Sequence, residues 1–174
     1  MIGNEGWQFC VTMADVSDER SPRQVYQRMV IACREGNIAQ LRLSYQQLGQ
    51  AQSCLGQPPA NAVNAVSLVD EAAAFGHRNV LDWLIAQGAN ISQLNGQHQT
   101  IAFSAAARNQ ITILDYLHQH HLDLNHLDSK AETCIFVAAA RGHTETVEWL
   151  LTRSDFSRAQ LEHENFRRHT VREV

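Results

Sequence analysis

Lysine is nearly absent from this chain. Thirteen of its 14 basic residues are arginine, and the one lysine is Lys130. Genomic base composition is the simpler cause. Selection against lysine modification, in a protein delivered into a ubiquitin-using host, is the other. Long apolar runs are missing too. The longest, such as Cys134 to Ala140, fall far short of the ~20 residues a membrane-crossing helix needs. The N-terminus has no basic segment followed by an apolar run, so no secretory signal is expected. A net charge of −4 and a pI near 6.1 leave no basic surplus, which argues against nucleic acid or an anionic membrane as the main partner. Cysteine is sparse. Cys10, Cys33, Cys54 and Cys134 form no CxxC pair and no regular framework, which fits a reduced, cytoplasmic setting. There is also no glycine-rich phosphate loop, no GxSxG elbow and no HExxH. No catalytic residue and no cofactor is therefore expected, and carboxylate pairs such as Glu145 and Glu148 read as a solvated helix face.

What the chain does have is repetition. The segments SLVDEAAAFGHRN, TIAFSAAARNQIT and TCIFVAAARGHTE begin at residues 67, 100 and 133, a constant spacing of 33. A fixed period of this size means one structural unit stacked on copies of itself. Such stacks make extended binding surfaces rather than catalytic clefts. Each copy holds two helical patterns joined by a tight turn. The first is a small-residue helix, as at Ala72, Ala73 and Ala74, ending at Phe75-Gly76. The second has one buried face, carried by Val80, Leu81, Leu84 and Ile85, then by Ile113, Leu114 and Leu117, then by Val147, Leu150 and Leu151. Gly88 suits a left-handed cap at the second helix's end.

These residues resemble the ankyrin repeat, a 33-residue unit with a Thr-Pro-Leu-His signature. The signature slot reads SLVD, TIAF and TCIF, without its proline. The family's Gly-His slot reads Gly76-His77, Asn109-Gln110 and Gly142-His143, and Asp128 stands where the family often places an aspartate at the hairpin. The resemblance implies an all-α repeat solenoid of about four stacked helix–turn–helix units with short hairpin loops. A degenerate first copy runs from Ser21-Pro22, with Val25, Met29 and Ala32-Cys33 as its buried stripe. Its second helix carries Ile38, Leu41, Tyr45 and Leu48 and closes near Gly49. An insertion within Ala51 to Asn61 separates it from the next copy. The expected division is an N-terminal arm at 1–20, a repeat domain at 21–158 with units near 21–60, 61–94, 95–127 and 128–158, and a capping helix or tail at 159–174. Counting 33 on from Thr133 gives Phe166, so the tail is read as part of a decayed fifth unit.

His118, His120, His121 and His126 cluster near Asp123 and Asp128, and converging histidines bind zinc. The register accounts for three of them separately. His118 fills a slot held elsewhere by Ile85 and Leu151, His121 replaces Gly88 at a helix end, and His126 falls on a hairpin. No metal site at His118, His121 and His126 is therefore expected. His77 and His143 read as structural, and the recurring Trp83, Tyr116 and Trp149 as packing between repeats.

The resemblance implies docking on hairpin tips and on the concave face of the first helices. By register these are Phe75, Arg108 and Arg141, then Leu94, Gln97 and Gln99, then Leu127, Ser129, Lys130 and Glu132. Phe103 and Phe136 replace the family's usual histidine, either enlarging an apolar strip on that face or lying buried between repeats. The expected function is a monomeric, non-enzymatic scaffold that binds another protein. A cognate inhibitor or immunity protein blocking a toxin or enzyme, and an effector recruiting a host protein, are the alternatives.

Overall fold

The computed structural model describes residues 22–47, 67–153, 165 and 169–171. The expected N-terminal arm, the insertion within residues 51–61, Leu48 and Gly49, and most of the expected C-terminal tail lie outside the described residues. Among the described residues there are eight helices and no strand: α1 Pro22–Glu35, α2 Ile38–Gln47, α3 Leu68–Ala74, α4 Arg78–Ala86, α5 Ile101–Ala106, α6 Ile111–Gln119, α7 Cys134–Ala140 and α8 Thr144–Leu151. They form four helix pairs.

The first helices from α3 onward have only six or seven residues, too few to persist alone in water. Packing holds them. They stack in a row, α1 on α3, α3 on α5, α5 on α7. Ala72, Ala73, Ala102, Ala105, Ala106 and Ala138 are fully enclosed in that row, where methyl side chains allow close approach of neighbouring backbones. Phe103 and Phe136 are buried in the same core. They therefore fill the space between repeats and add no exposed apolar strip. Val80, Leu81 and Leu84 of α4, Ile113, Leu114 and Leu117 of α6, and Leu150 of α8 close the core from the second-helix side.

The turn after each first helix needs a left-handed residue. Gly36, Gly76, Asn109 and Gly142 have φ of 69°, 80°, 57° and 72°. At Gly76 the space is closed as well, because an added Cβ would run into the Gln110 amide oxygen. Asn109 tolerates the conformation and ties the next repeat down, accepting 2.6 Å from the Thr146 hydroxyl. His121, where Gly88 stands one repeat earlier, has φ 59°, as the register predicts. The two histidines of the Gly-His slot make one equivalent bond. His77 Nε2 donates to the Arg34 carbonyl at 2.8 Å, and His143 Nε2 to the Ala107 carbonyl at 3.1 Å. Gln110, in the same slot, turns instead to the Arg108 carbonyl of its own repeat.

The hairpins repeat just as closely. Asn95 N–H donates to the Gln99 carbonyl, and Asn95 Oδ1 accepts from Gln99 N–H. Asp128 and Glu132 form the same reciprocal pair, and so do Asn165 and His169. The last pair corrects the expected frame at the C-terminus. Asn165 and His169 lie four residues later than a strict 33-residue count from Asp128 and Glu132. Thr170, not Phe166, is thus the equivalent of Thr133, and Val171 is buried like Cys134.

The hydroxyls of Thr100 and Thr133 are buried without a hydrogen-bond partner among the described residues. Each opens a helix, and each has phenylalanine three positions on, where a polar side chain could reach back to it. Thr100→Val removes the stranded hydroxyl at nearly constant volume. It is expected to raise unfolding free energy by about 1 kcal/mol, checked by urea denaturation.

Candidate functional site

The residues expected to meet a partner fall into two groups, at opposite ends of the first helices. Gln97, Gln99, Ser129, Lys130 and Glu132 sit on the hairpins that precede α5 and α7, with Leu94 and Leu127 beside them. Phe75, Arg108 and Arg141 follow α3, α5 and α7. The six residues of α5 alone separate the groups by ~9 Å.

In the hairpin group, polar side chains build the loop and apolar ones are left outside. Asp128 is buried. Its Oδ1 accepts from the N–H groups of Lys130 and Glu132 at 2.8 and 3.0 Å, and its Oδ2 accepts 2.8 Å from Gln99 Nε2. Ser129 N–H donates 3.0 Å to the Gln97 carbonyl, joining the two hairpins. Glu132 accepts 2.8 Å from Asn165 Nδ2. Gln99 and Glu132 are thus committed to the scaffold. Gln97, Ser129 and Lys130 are exposed. So are Leu94 and Leu127, at 40% and 44%. Leu94 also lines an open depression of about 340 Å³ with Ser92, Thr100, His121, Leu122, Asp123 and His126.

In the other group, Phe75 is a platform. The Arg108 guanidinium lies 4.2 Å from its ring centroid and that of Arg34 lies 6.0 Å away, so the ring is covered from the repeats on either side. Arg34 in turn grips the buried Glu71, with Nε to Oε2 at 2.6 Å and Nη2 to Oε1 at 3.0 Å. That grip holds the Arg34 guanidinium even more firmly protonated than usual. Arg141 Nη1 donates 3.0 Å to the Ala107 carbonyl. The sequence reading missed Arg34 because it stands in the slot that holds Ala74, Ala107 and Ala140 in the later repeats, one residue before that of Phe75, Arg108 and Arg141.

Beside Glu71, the half-buried Asp70 accepts 3.0 Å from the Ser104 hydroxyl. Burial raises its carboxyl above the ordinary range, the Ser104 bond opposes that, and the Glu71 charge adds to it. A raised folded-state value means protonated Asp70 favours folding, and this contribution is lost as pH rises from 3.8, the ordinary value, through the raised one. Asp70→Asn keeps an acceptor for Ser104. It should be more stable than the parent at pH 7, with the gap closing at pH ~3. Denaturation at both pH values checks this.

The histidines do not converge. His126 Nε2 donates 2.8 Å to the His98 carbonyl, His121 takes the exposed left-handed position after the α6 C-cap, and His120, the cap itself, packs on the Tyr116 ring. No group of three or more His, Cys, Asp or Glu that could hold a metal ion occurs among the described residues. Burial pushes the Cys33 and Cys134 thiols up to about 12, far from nucleophile chemistry. The aromatic stripe is bound up in packing. Trp83 meets Tyr45 edge-on at 5.3 Å, the Tyr116 hydroxyl donates 2.6 Å to Asp82, and Arg153 stacks on Trp149 while donating 2.9 Å to Asp115.

Four helix pairs stacked through their first helices define a helical repeat solenoid. The sequence matches the model of ankyrin repeats, in three copies, over residues 69–160. That is just over half of the chain, and the protein belongs to the ankyrin repeat family. Ankyrin repeats are generally protein–protein interaction modules. No curated protein matches the sequence at significant similarity. No described helix is long and apolar enough to cross a membrane.

Proposed function

We propose that this protein is a non-enzymatic scaffold that binds a partner protein on its hairpin tips and along the ends of its first helices. The observation that carries the reading is the pair Leu94 and Leu127. They occupy equivalent hairpin positions in adjacent repeats, and both are exposed while their polar neighbours hold the loops together. The other large exposed apolar residues among the described ones, Ile31 and Leu43, stand on α1 and α2 and share no repeat position with them. Apolar side chains repeated at one edge of a rigid stack gain most when a partner covers them. The protein acts as a monomer in the cytoplasm, a setting supported by the unpaired, buried Cys33 and Cys134.

Leu94→Ser with Leu127→Ser tests the reading in an affinity capture from the source cells, scored by mass spectrometry beside a melting curve. The expected result is loss of the captured partner with melting unchanged. Undiminished capture would overturn the assignment.

A further inference from the structure

We propose that Arg108 and Arg141 form a paired carboxylate-reading site, and that it receives an acidic stretch of a partner polypeptide in extended conformation. This rests on the scaffold reading and adds the chemistry of what is bound. Among the described residues, no carboxylate pairs with either arginine. Arg34, by contrast, is fully engaged by Glu71. Glu145, four residues beyond Arg141, accepts 3.4 Å from Asn109 Nδ2 instead.

Both guanidinium groups are positioned before any partner arrives. The Arg108 guanidinium carbon lies over the Phe75 ring, 4.2 Å from its centroid. Stacking on a ring face leaves the in-plane N–H groups pointing outward, the edge that takes a carboxylate in bidentate fashion. Arg141 is tied through Nη1 to the Ala107 carbonyl and keeps donors to spare. Fixing the side chains in advance removes part of the entropy cost of binding.

The spacing selects the ligand. The two arginines hold the same position in stacked repeats, where packed helices lie ~10 Å apart. An extended chain in the polyproline II conformation advances ~3.1 Å per residue with about three residues per turn, so acidic residues three apart share one face and meet both groups. The net charge of −4 repels a long polyanion while leaving this local pair able to read a short acidic segment.

A random 12-residue peptide library displayed on phage, selected on the full chain, tests the proposal. The expected outcome is enrichment of peptides with Asp or Glu at positions i and i+3. The best such peptide should lose about tenfold or more in affinity against Arg108→Gln/Arg141→Gln and weaken as salt rises. Phe75→Leu, which removes the platform but not the charge, should lower affinity less, with the melting curve showing that the fold is kept. Enrichment without acidic bias, acidic peptides that bind the double variant undiminished, or equal binding of a single-stranded oligonucleotide would each overturn it. Non-acidic peptides lost on Leu94→Ser/Leu127→Ser would overturn this site yet leave the scaffold reading standing. No enrichment at all would count against both.

Discussion

Phe103→Ala is expected to cost about 3–5 kcal/mol of stability, a loss set by the cavity a buried aromatic side chain leaves behind. Phe103 is only 3% exposed, in a row of alanines that cannot swell to fill a gap: Ala102, Ala105 and Ala106 are all fully buried around it. In a stack, each repeat gains stability chiefly from the neighbours it touches. A void in α5 therefore weakens its interfaces with α3 and α7 together. Equilibrium urea unfolding followed by circular dichroism measures the loss. Leu94→Ser, at an exposed hairpin tip, is the control and should stay within ~0.5 kcal/mol of the parent. A loss below ~1 kcal/mol at Phe103 would mean that the repeats do not close over it.

Arg34→Ala should cost about 2–4 kcal/mol, because it strands a charge rather than merely deleting a surface contact. The Glu71 side chain is 8% exposed against 47% for Arg34. The pair is thus buried on one side only, and the expected loss lies below that of a fully enclosed ion pair. Removing Arg34 leaves Glu71 next to Asp70, whose own carboxyl is already pushed up by burial and by the Glu71 charge. It also bares one side of Phe75. A double-mutant cycle with Glu71→Ala isolates the pair. The two losses should fall short of additivity by about 1–3 kcal/mol. Additive losses would show that the contact contributes nothing specific and that each residue acts through packing alone.

The fold was legible in the sequence because a repeated unit states its constraints several times. The alanine runs, the turn residues at Gly76 and Gly142 and the replacement of Gly88 by His121 each follow from the register, and each is found in the structure. The break at the C-terminus was not legible. Asn165 and His169 stand four residues beyond the 33-residue count, and only their reciprocal hydrogen bonds identify them as the equivalents of Asp128 and Glu132. The roles of Phe103 and Phe136 were open for a related reason. Register fixes which face of a helix a residue occupies, but not whether the neighbouring repeat closes over it.

At the candidate site, position along the chain was readable and engagement was not. Leu94 and Leu127 are exposed as expected, whereas Gln99 and Glu132 are held by Asp128 and Asn165. Phe75 was read as a docking residue in line with Arg108 and Arg141, and in three dimensions it carries the Arg108 guanidinium over its ring. Arg34 escaped notice because its slot holds alanine in the later repeats, so the register marks it as packing rather than contact.

The central claim is that a partner docks on the hairpin and first-helix side of the stack, and amide hydrogen exchange on the protein alone and saturated with its captured partner tests it most directly. The account predicts added protection at residues 94–99 and 127–132, at 107–108 and 140–141, or at both sets, with the second helices unchanged. Protection confined to α4, α6 and α8, along the face that carries Trp83 and Trp149, would contradict it.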